Sequence, residues 1–409
     1  MSKYLDRYAE AEVAYLASWP GTAYDRVLVV PAYRESPEFL QRIPAVAGKT
    51  LVIVVINSPP AAIDDGSNQR LYEAISRSRE PLWSNQNLAL FTGTAPHYDI
   101  LRVDRHSAGL RTDGGVGVAR KTGADIACSL IERAVIGSPW IHNTDGDTEL
   151  PADYFDASQS VVAGASALLF PYDHVCDLND PIGWATRLYE FGLNHYVAGL
   201  KLAGSPYAFQ TVGSSFAMHA QAYAQVRGFP KREAGEDFYM LNKLAKVGKV
   251  VEAATAPIQI QARTSDRVPF GTGAGVSKIL ALANPLTDYR FYHPQVFTAL
   301  GEFLAQFDGL WSDDGPAPTT ALGLHLGLEK GLHHARSQSR SLAGYLRHLN
   351  DWFDGFRTLK SVHWLRDHQW PSLTLAELCQ QPGFPAIWER DLEMRKQAEL
   401  LLEPRNARH

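Results

Sequence analysis

The chain has 409 residues, a formal net charge of −5 and 45% hydrophobic content. That balance excludes a general electrostatic attraction to nucleic acid or to an anionic membrane, and it allows an ordinary buried core. Three scattered cysteines, Cys128, Cys176 and Cys379, have neither disulfide-framework nor zinc-site spacing. The opening residues lack the basic-then-apolar order of a signal peptide, and no apolar run approaches about 18 residues. A cytoplasmic protein with reduced thiols and no integral membrane segment is expected.

In chain order, residues 6–17 carry apolar positions at helical spacing and predict a short helix. "DRVLVVPAYRE" opens a buried strand at Val27–Val30 that stops at Pro31, and "TLVIVVINSPP" holds a second, 50–56, ended by Asn57. A polar helix is expected around 67–79 and a third strand near 98–104. A Gly-rich loop, 105–117, feeds a helix on "GVARKTGADIACSLIERA", and "SPWIHNT" then predicts a strand running into Asp145. Strands alternating with helices predict a mostly parallel, Rossmann-type α/β sheet with helices on both faces. Ligands of such sheets bind outside the carboxyl ends of the strands, where strand order switches. Asn57, Asp104 and Asp145 all fall at such ends.

From about 153 the pattern loosens. A strand is expected at 161–170, a long helix at 181–200, a strand or loop feeding a helix in "TVGSSFAMHAQAY", a helix on "GEDFYMLNKLAKVG" and extended chain in "VVEAATAPIQIQARTSDR". Helices are expected at 295–307, 319–336, 341–359 and 386–402. The division drawn from this pattern is an α/β domain over 1–292 and a helical C-terminal region over 293–409, the latter packed on the former or used for homo-oligomer assembly.

Three stretches point to chemistry. "WIHNTDGDTELP" sets Asp145 and Asp147 one residue apart at a strand exit. Like charges that close repel unless a cation sits between them, and Asp-x-Asp suits Mg2+ or Mn2+ whose shell a diphosphate completes. The plain alternative is a solvated turn. "GEDF", 235–238, is a second acidic pair, equally at home as the acidic first turn of a helix. "ARTSDRVPFGTGAG", 262–275, sets Arg263 and Arg267 four apart beside glycines, as a surface loop or as a clamp on a diphosphate or an anionic acceptor. His325, His333 and His334 fit an exposed helix face better than a zinc site.

Together, "VPAYRE" at 30–35, the Ala-Arg-x-x-Gly set at 119–123, "DGD" at 145–147 and "GEDF" at 235–238 resemble, in order and rough spacing, the family-two glycosyltransferases of the GT-A fold, over roughly residues 25–270. The resemblance implies a nucleotide-diphospho-sugar donor and an acceptor hydroxyl. It implies a nucleotide pocket lined by Pro31, Ala32, Tyr33 and Glu35, with Arg120 near it and Asn57 offered at the base. It also implies Asp145 and Asp147 for donor and metal, and Asp237, beside Glu236, as the base of an inverting transfer. The departures are specific. The second strand ends "INSPP" rather than in an acidic turn, a "DDGS" lies further on at 64–67, and the "QxxRW" of processive synthases is absent. The rival activities are a nucleotidyltransferase, which would place a glycine-rich loop after the first strand, and a non-catalytic nucleotide-sugar-binding protein.

Overall fold

The computed structural model describes residues 1–60, 66–76, 80–111, 113–265, 271–311, 320–381 and 391–402. Arg267, the first part of the 64–67 "DDGS" and the first part of the 386–402 helix lie outside the described residues. The chain forms two compact units, 1–175 with 211–274, and 176–210 with 275–409. These units are defined by packing. The cut expected at 292 follows the change of residue pattern, and the two divisions differ at 176–210 and at 275–292.

The first unit is built on a nine-stranded sheet. Its elements are α1 (Ser2–Tyr8), α2 (Glu12–Tyr15), β1 (Arg26–Ala32), β2 (Thr50–Asn57), α3 (Ser67–Ser76), β3 (Trp83–Asn85), β4 (Leu88–Thr92), β5 (Tyr98–Arg105), α4 (Gly115–Glu132) and β6 (Trp140–Asn143). They continue with β7 (Thr148–Glu149), β8 (Ala165–Leu169), β9 (Tyr172–Val175), β10 (Phe216–His219), α5 (Ala220–Gln225), α6 (Glu236–Leu244), β11 (Lys249–Glu252) and β12 (Ile258–Gln261). The strand order is β11-β8-β10-β6-β1-β2-β5-β4-β3, with β7-β12-β9 as a separate small sheet. Only β10 and β4 run against the common direction of the large sheet. This is the α/β architecture read from the sequence. The chain lays β2 and β5 to one side of β1 and then returns to lay β6 on the other, so strand order switches between β1 and β6.

The middles of β1 and β2 are continuous apolar runs because both faces are covered. Leu28, Val30 and Ala32 of β1 and Val52, Val54 and Ile56 of β2 share one face with Leu71 and Ile75 of α3. Val29 and Val55 point to the opposite face, against α4, where a Cβ on Gly123 would stand 2.4 Å from a Val29 methyl.

Two boundaries differ from expectation for identifiable reasons. The first strand runs through Pro31 to Ala32. The Thr144 amide donates to the Val29 carbonyl at 3.1 Å, so Val29, and two residues on Pro31, turn their backbone toward β6. Pairing of β1 with β6 ends at Val29, so the missing proline N–H faces a side that no strand pairs. The same ending lets the exits of β1 and β6 part. The helix expected over 6–17 is broken into α1 and α2 because the Glu10 amide donates to the buried Asp125 carboxylate of α4 at 2.8 Å. Glu10 and Glu12 then both pair with Arg105 at the end of β5.

The second unit is helical. Its long helix, Pro181–Leu202, is capped by the Asp180 carboxylate, which accepts from the Ile182 amide. Phe191 and Leu200 of that helix share an apolar core with Val296, Phe297, Leu300, Tyr345, Leu349, Val362 and Leu365. Among the described residues no helix is long and apolar enough to cross a membrane.

Gly123→Ala is expected to lower the thermal unfolding midpoint, since overpacking of this kind costs about 1–3 kcal/mol. Pairing it with Val29→Ala should recover part of that loss, and the double-mutant comparison checks it. Purely additive losses would mean that the α4–β1 contact is not the cause.

Candidate functional site

The carboxyl ends of β1, β2, β5 and β6 lie along one edge of the sheet, because these strands run parallel. The sequence segments singled out for chemistry converge there. Beyond β6 the chain turns through Asp145, Gly146 and Asp147 into β7. The turn is fixed from within, as the Thr148 hydroxyl meets that of Thr144 at 2.7 Å and donates to the Asp145 carbonyl at 2.8 Å. Beyond β1, Tyr33 is half-buried, Arg34 is exposed with a left-handed φ of 58°, and Glu35 is buried against Gly146. Asn68 of α3 joins the first two exits: its amide group donates to the Asn57 carbonyl at 2.9 Å and accepts from the Arg34 amide at 2.8 Å.

Arg120, expected beside a phosphate, sits inside the protein and ties the two acidic motifs together. Its Nε donates to Glu236 at 2.9 Å and its Nη2 to Asp145 at 2.8 Å. Burial opposes its charge, but Asp145 and Glu236 outweigh that and hold the guanidinium more firmly protonated than usual. Glu236 is buried, at 4% exposure, with its carboxylate committed to this pair.

Arg263 serves the other aspartate. Strand β12 pairs antiparallel with β7, Gln259 opposite Glu149 and Ile260 opposite Thr148. Continuing that register carries Arg263 onto the DGD turn. There its Nη2 lies 2.6 Å from Asp147 and 2.9 Å from Glu35. Neither partnership was legible from spacing, since Arg120 and Glu236 are 116 residues apart and Arg263 and Glu35 are 228 apart. Asn68 was missed as well, and an Asn in the first turn of a helix is its only sequence signal.

Acidic side chains predominate here among the described residues. Among the described residues five carboxylates gather here, Glu35, Asp145, Asp147, Glu236 and Asp237, while two arginines ion-pair with them. Burial pushes Glu35 up to about 7, with Asp145 adding to the rise and Arg263 opposing it. Burial and then the charge of Asp145 push Asp147 up to about 6. Asp237 is pushed up to about 7, by burial first and by Glu236 second. It stands in the first turn of α6, after Gly235 whose φ of 71° turns the chain into the helix. No ion pair to Asp237 is present among the described residues. No group of three or more His, Cys, Asp or Glu side chains there is arranged to hold a metal ion.

No family model matches the chain, and no curated protein matches it. Solved structures resemble it, two of them as follows. One is TarS residues 1–349 from S. aureus in complex with UDP-GlcNAc, at 11% identity over 84% of this chain and 92% of that one, with a TM-score of 0.37. The other is the mannosyltransferase PcManGT from Pyrobaculum calidifontis in complex with GDP-Man and Mn2+, at 13% identity over 85% and 88%, with a TM-score of 0.32.

The raised carboxyl of Asp237 has a consequence for stability. Its folded pKa lies above the ordinary value, so between about pH 4 and 7 the folded chain holds a proton that the unfolded chain releases. Its contribution to stability therefore falls as pH rises through that window. Asp237→Asn should gain on the wild type in unfolding midpoint between pH 5 and pH 7.5. A pH-independent difference between the two proteins would contradict this.

Proposed function

We propose that the chain is a glycosyltransferase that moves a sugar from a nucleotide-diphosphate donor to an acceptor hydroxyl. The observation that carries this reading is the convergence at the β1/β6 switch of a half-buried acidic turn, the exit of β1 and the acidic start of α6, five carboxylates with two arginines ion-paired to them among the described residues. Open α/β sheets bind nucleotides at such a point. Pro31, Ala32, Tyr33, Glu35 and Asn57 belong to the two strand exits that would border the nucleotide.

The donor set fits a divalent cation of one kind only. Asp145 and Asp147 can offer two carboxylates, and their mutual repulsion favours a cation between them. With no third protein ligand arranged among the described residues, the remaining positions would be filled by diphosphate oxygens and water, the habit of Mg2+ and Mn2+. Bound there, the ion would offset the charge of the leaving diphosphate. Arg263 competes for the same carboxylate of Asp147. Once a cation takes that carboxylate, the guanidinium is released beside the donor phosphates, which are its natural alternative partners.

Asp237 is the proposed base and Glu236 its support. Glu236 is bound to Arg120, whereas Asp237 carries a carboxyl near 7, close to the pH at which a general base works best. An inverting transfer needs its base on a segment other than the one that holds the leaving group, and α6 supplies that separation from the DGD turn.

Calorimetry with UDP- and GDP-sugars in Mn2+ tests the donor site. Asp147→Asn should weaken donor binding tenfold or more. Arg263→Gln should tighten Mn2+ binding without nucleotide and weaken donor binding by about ten- to a hundredfold, the worth of a charged hydrogen bond of about 1.5–3 kcal/mol. Donor binding that is unchanged by Asp147→Asn would remove the metal reading.

Turnover tests the base. The rate should rise with pH through about 7 as Asp237 loses its proton. Asp237→Asn should lose about 10²–10⁴-fold in turnover while keeping donor affinity. Normal turnover in that variant would leave Asp237 as the first turn of a helix and nothing more.

A further inference from the structure

A cavity of about 660 Å³ lies between α3, the β3–β4 hairpin and β5, and no residue of the acidic cluster lines it. Its size falls within the range of small-molecule sites. Arg102 of β5 forms part of its wall and is 9% exposed. The guanidinium lies 3.6 Å over the Tyr72 ring and 5.1 Å from that of Phe91, and it donates to the Ser76 hydroxyl. Among the described residues no carboxylate ion-pairs with it. Asp104 shares the wall, but its Oδ1 accepts from the amides of His106 and Ser107 at 3.0 Å each, and its Oδ2 accepts from the Ser107 hydroxyl at 2.6 Å.

A buried guanidinium that no carboxylate pairs directly is costly, and natural proteins rarely keep one. Burial disfavours the charged form of Arg102, and the nearby Tyr72 and the charge of Asp104 offset only part of that, so an anion arriving in the cavity would relieve the remainder. Two more atoms on the same wall lack partners. The Nε of Arg102 has no acceptor, and the Oδ1 of Asn87 has no donor, while the Asn87 amide nitrogen is engaged by Glu12 and by the Asp104 carbonyl. Arg102 and the half-buried Asn87 thus share one wall and each keeps unmet hydrogen-bonding capacity. Ser84 and Gln86, both exposed, add hydroxyl and amide groups at the rim, and Tyr15 adds an aromatic ring.

We propose that this cavity binds a small anionic carbohydrate, a sugar bearing a phosphate or carboxylate group. The anion pairs with Arg102, and the sugar hydroxyls meet Asn87, Gln86 and Ser84. The proposal does not depend on the acidic cluster. The shared chemistry is a charged group on a polyhydroxylated ring, and the cavity asks for both parts.

Calorimetric titration of the full chain with glucose 6-phosphate, glucuronate, glucose and inorganic phosphate tests this. At least one of the two sugar anions should bind, and glucose and inorganic phosphate should bind at least tenfold more weakly. Arg102→Gln should abolish the binding. Ser84→Trp, which fills the rim from an exposed position and leaves the buried cation in place, should abolish it too and decides the matter if Arg102→Gln does not fold. No binding of either sugar anion, inorganic phosphate binding as tightly as glucose 6-phosphate, or full binding in Ser84→Trp would each overturn the proposal.

Discussion

The candidate site depends on one buried guanidinium. Arg120 reaches from α4 to the exit of β6 through Asp145 and to the start of α6 through Glu236. Three segments far apart in sequence are held by the two edges of one planar group. A lysine could not replace it, because a single ammonium has no fork with which to hold two carboxylates in fixed directions. Space has been left for it: a Cβ on Gly213 would stand 2.5 Å from Nη2. Such a network does not add much net stability, since desolvating three charges costs about what their attraction returns. What it supplies is position. Removing Arg120 alone would leave Glu236 charged and buried with no partner, a change that costs about 3–5 kcal/mol in comparable cases.

The same network separates two neighbouring acids by environment. Glu236 and Asp237 are adjacent, yet Glu236 has the arginine while Asp237 has burial and the field of Glu236. Burial and that field drive Asp237 toward neutrality. A solvated helix start would treat the two alike.

How much of this could be read in the sequence depended on how local each cause was. The apolar runs of β1, β2 and β5 and the Asp180-capped long helix were legible because their signals lie within a few residues. The run of β1 through Pro31 was not, because it depends on where β6 stops pairing. The hairpin of β3 and β4 was missed: Trp83–Asn85 is only three residues long, and its turn relies on Gln86 at a φ of 53°, a position where a glycine or asparagine would have been the usual sign. At the site, the acidic stretches stood out by composition, but their partners did not. Arg120 was noticed for a motif and Arg263 for its glycine-rich surroundings, and neither sign says which carboxylate an arginine will meet.

Arg263 shows what closes that gap. Its arrival at Asp147 follows from the register of two short strands, β7 and β12, in a small sheet apart from the large one. A one-residue slip in that register would turn Arg263 to the opposite face and leave Asp147 and Glu35 without their shared cation. The acidic turn therefore depends for its charge balance on a sheet to which it contributes only two residues, Thr148 and Glu149. That division sets the two arginines of the cluster apart. Arg120 is locked in by burial on every side, whereas Arg263 lies past the end of a strand with its side chain 36% exposed, so its ion pairs can be surrendered without unpacking the core.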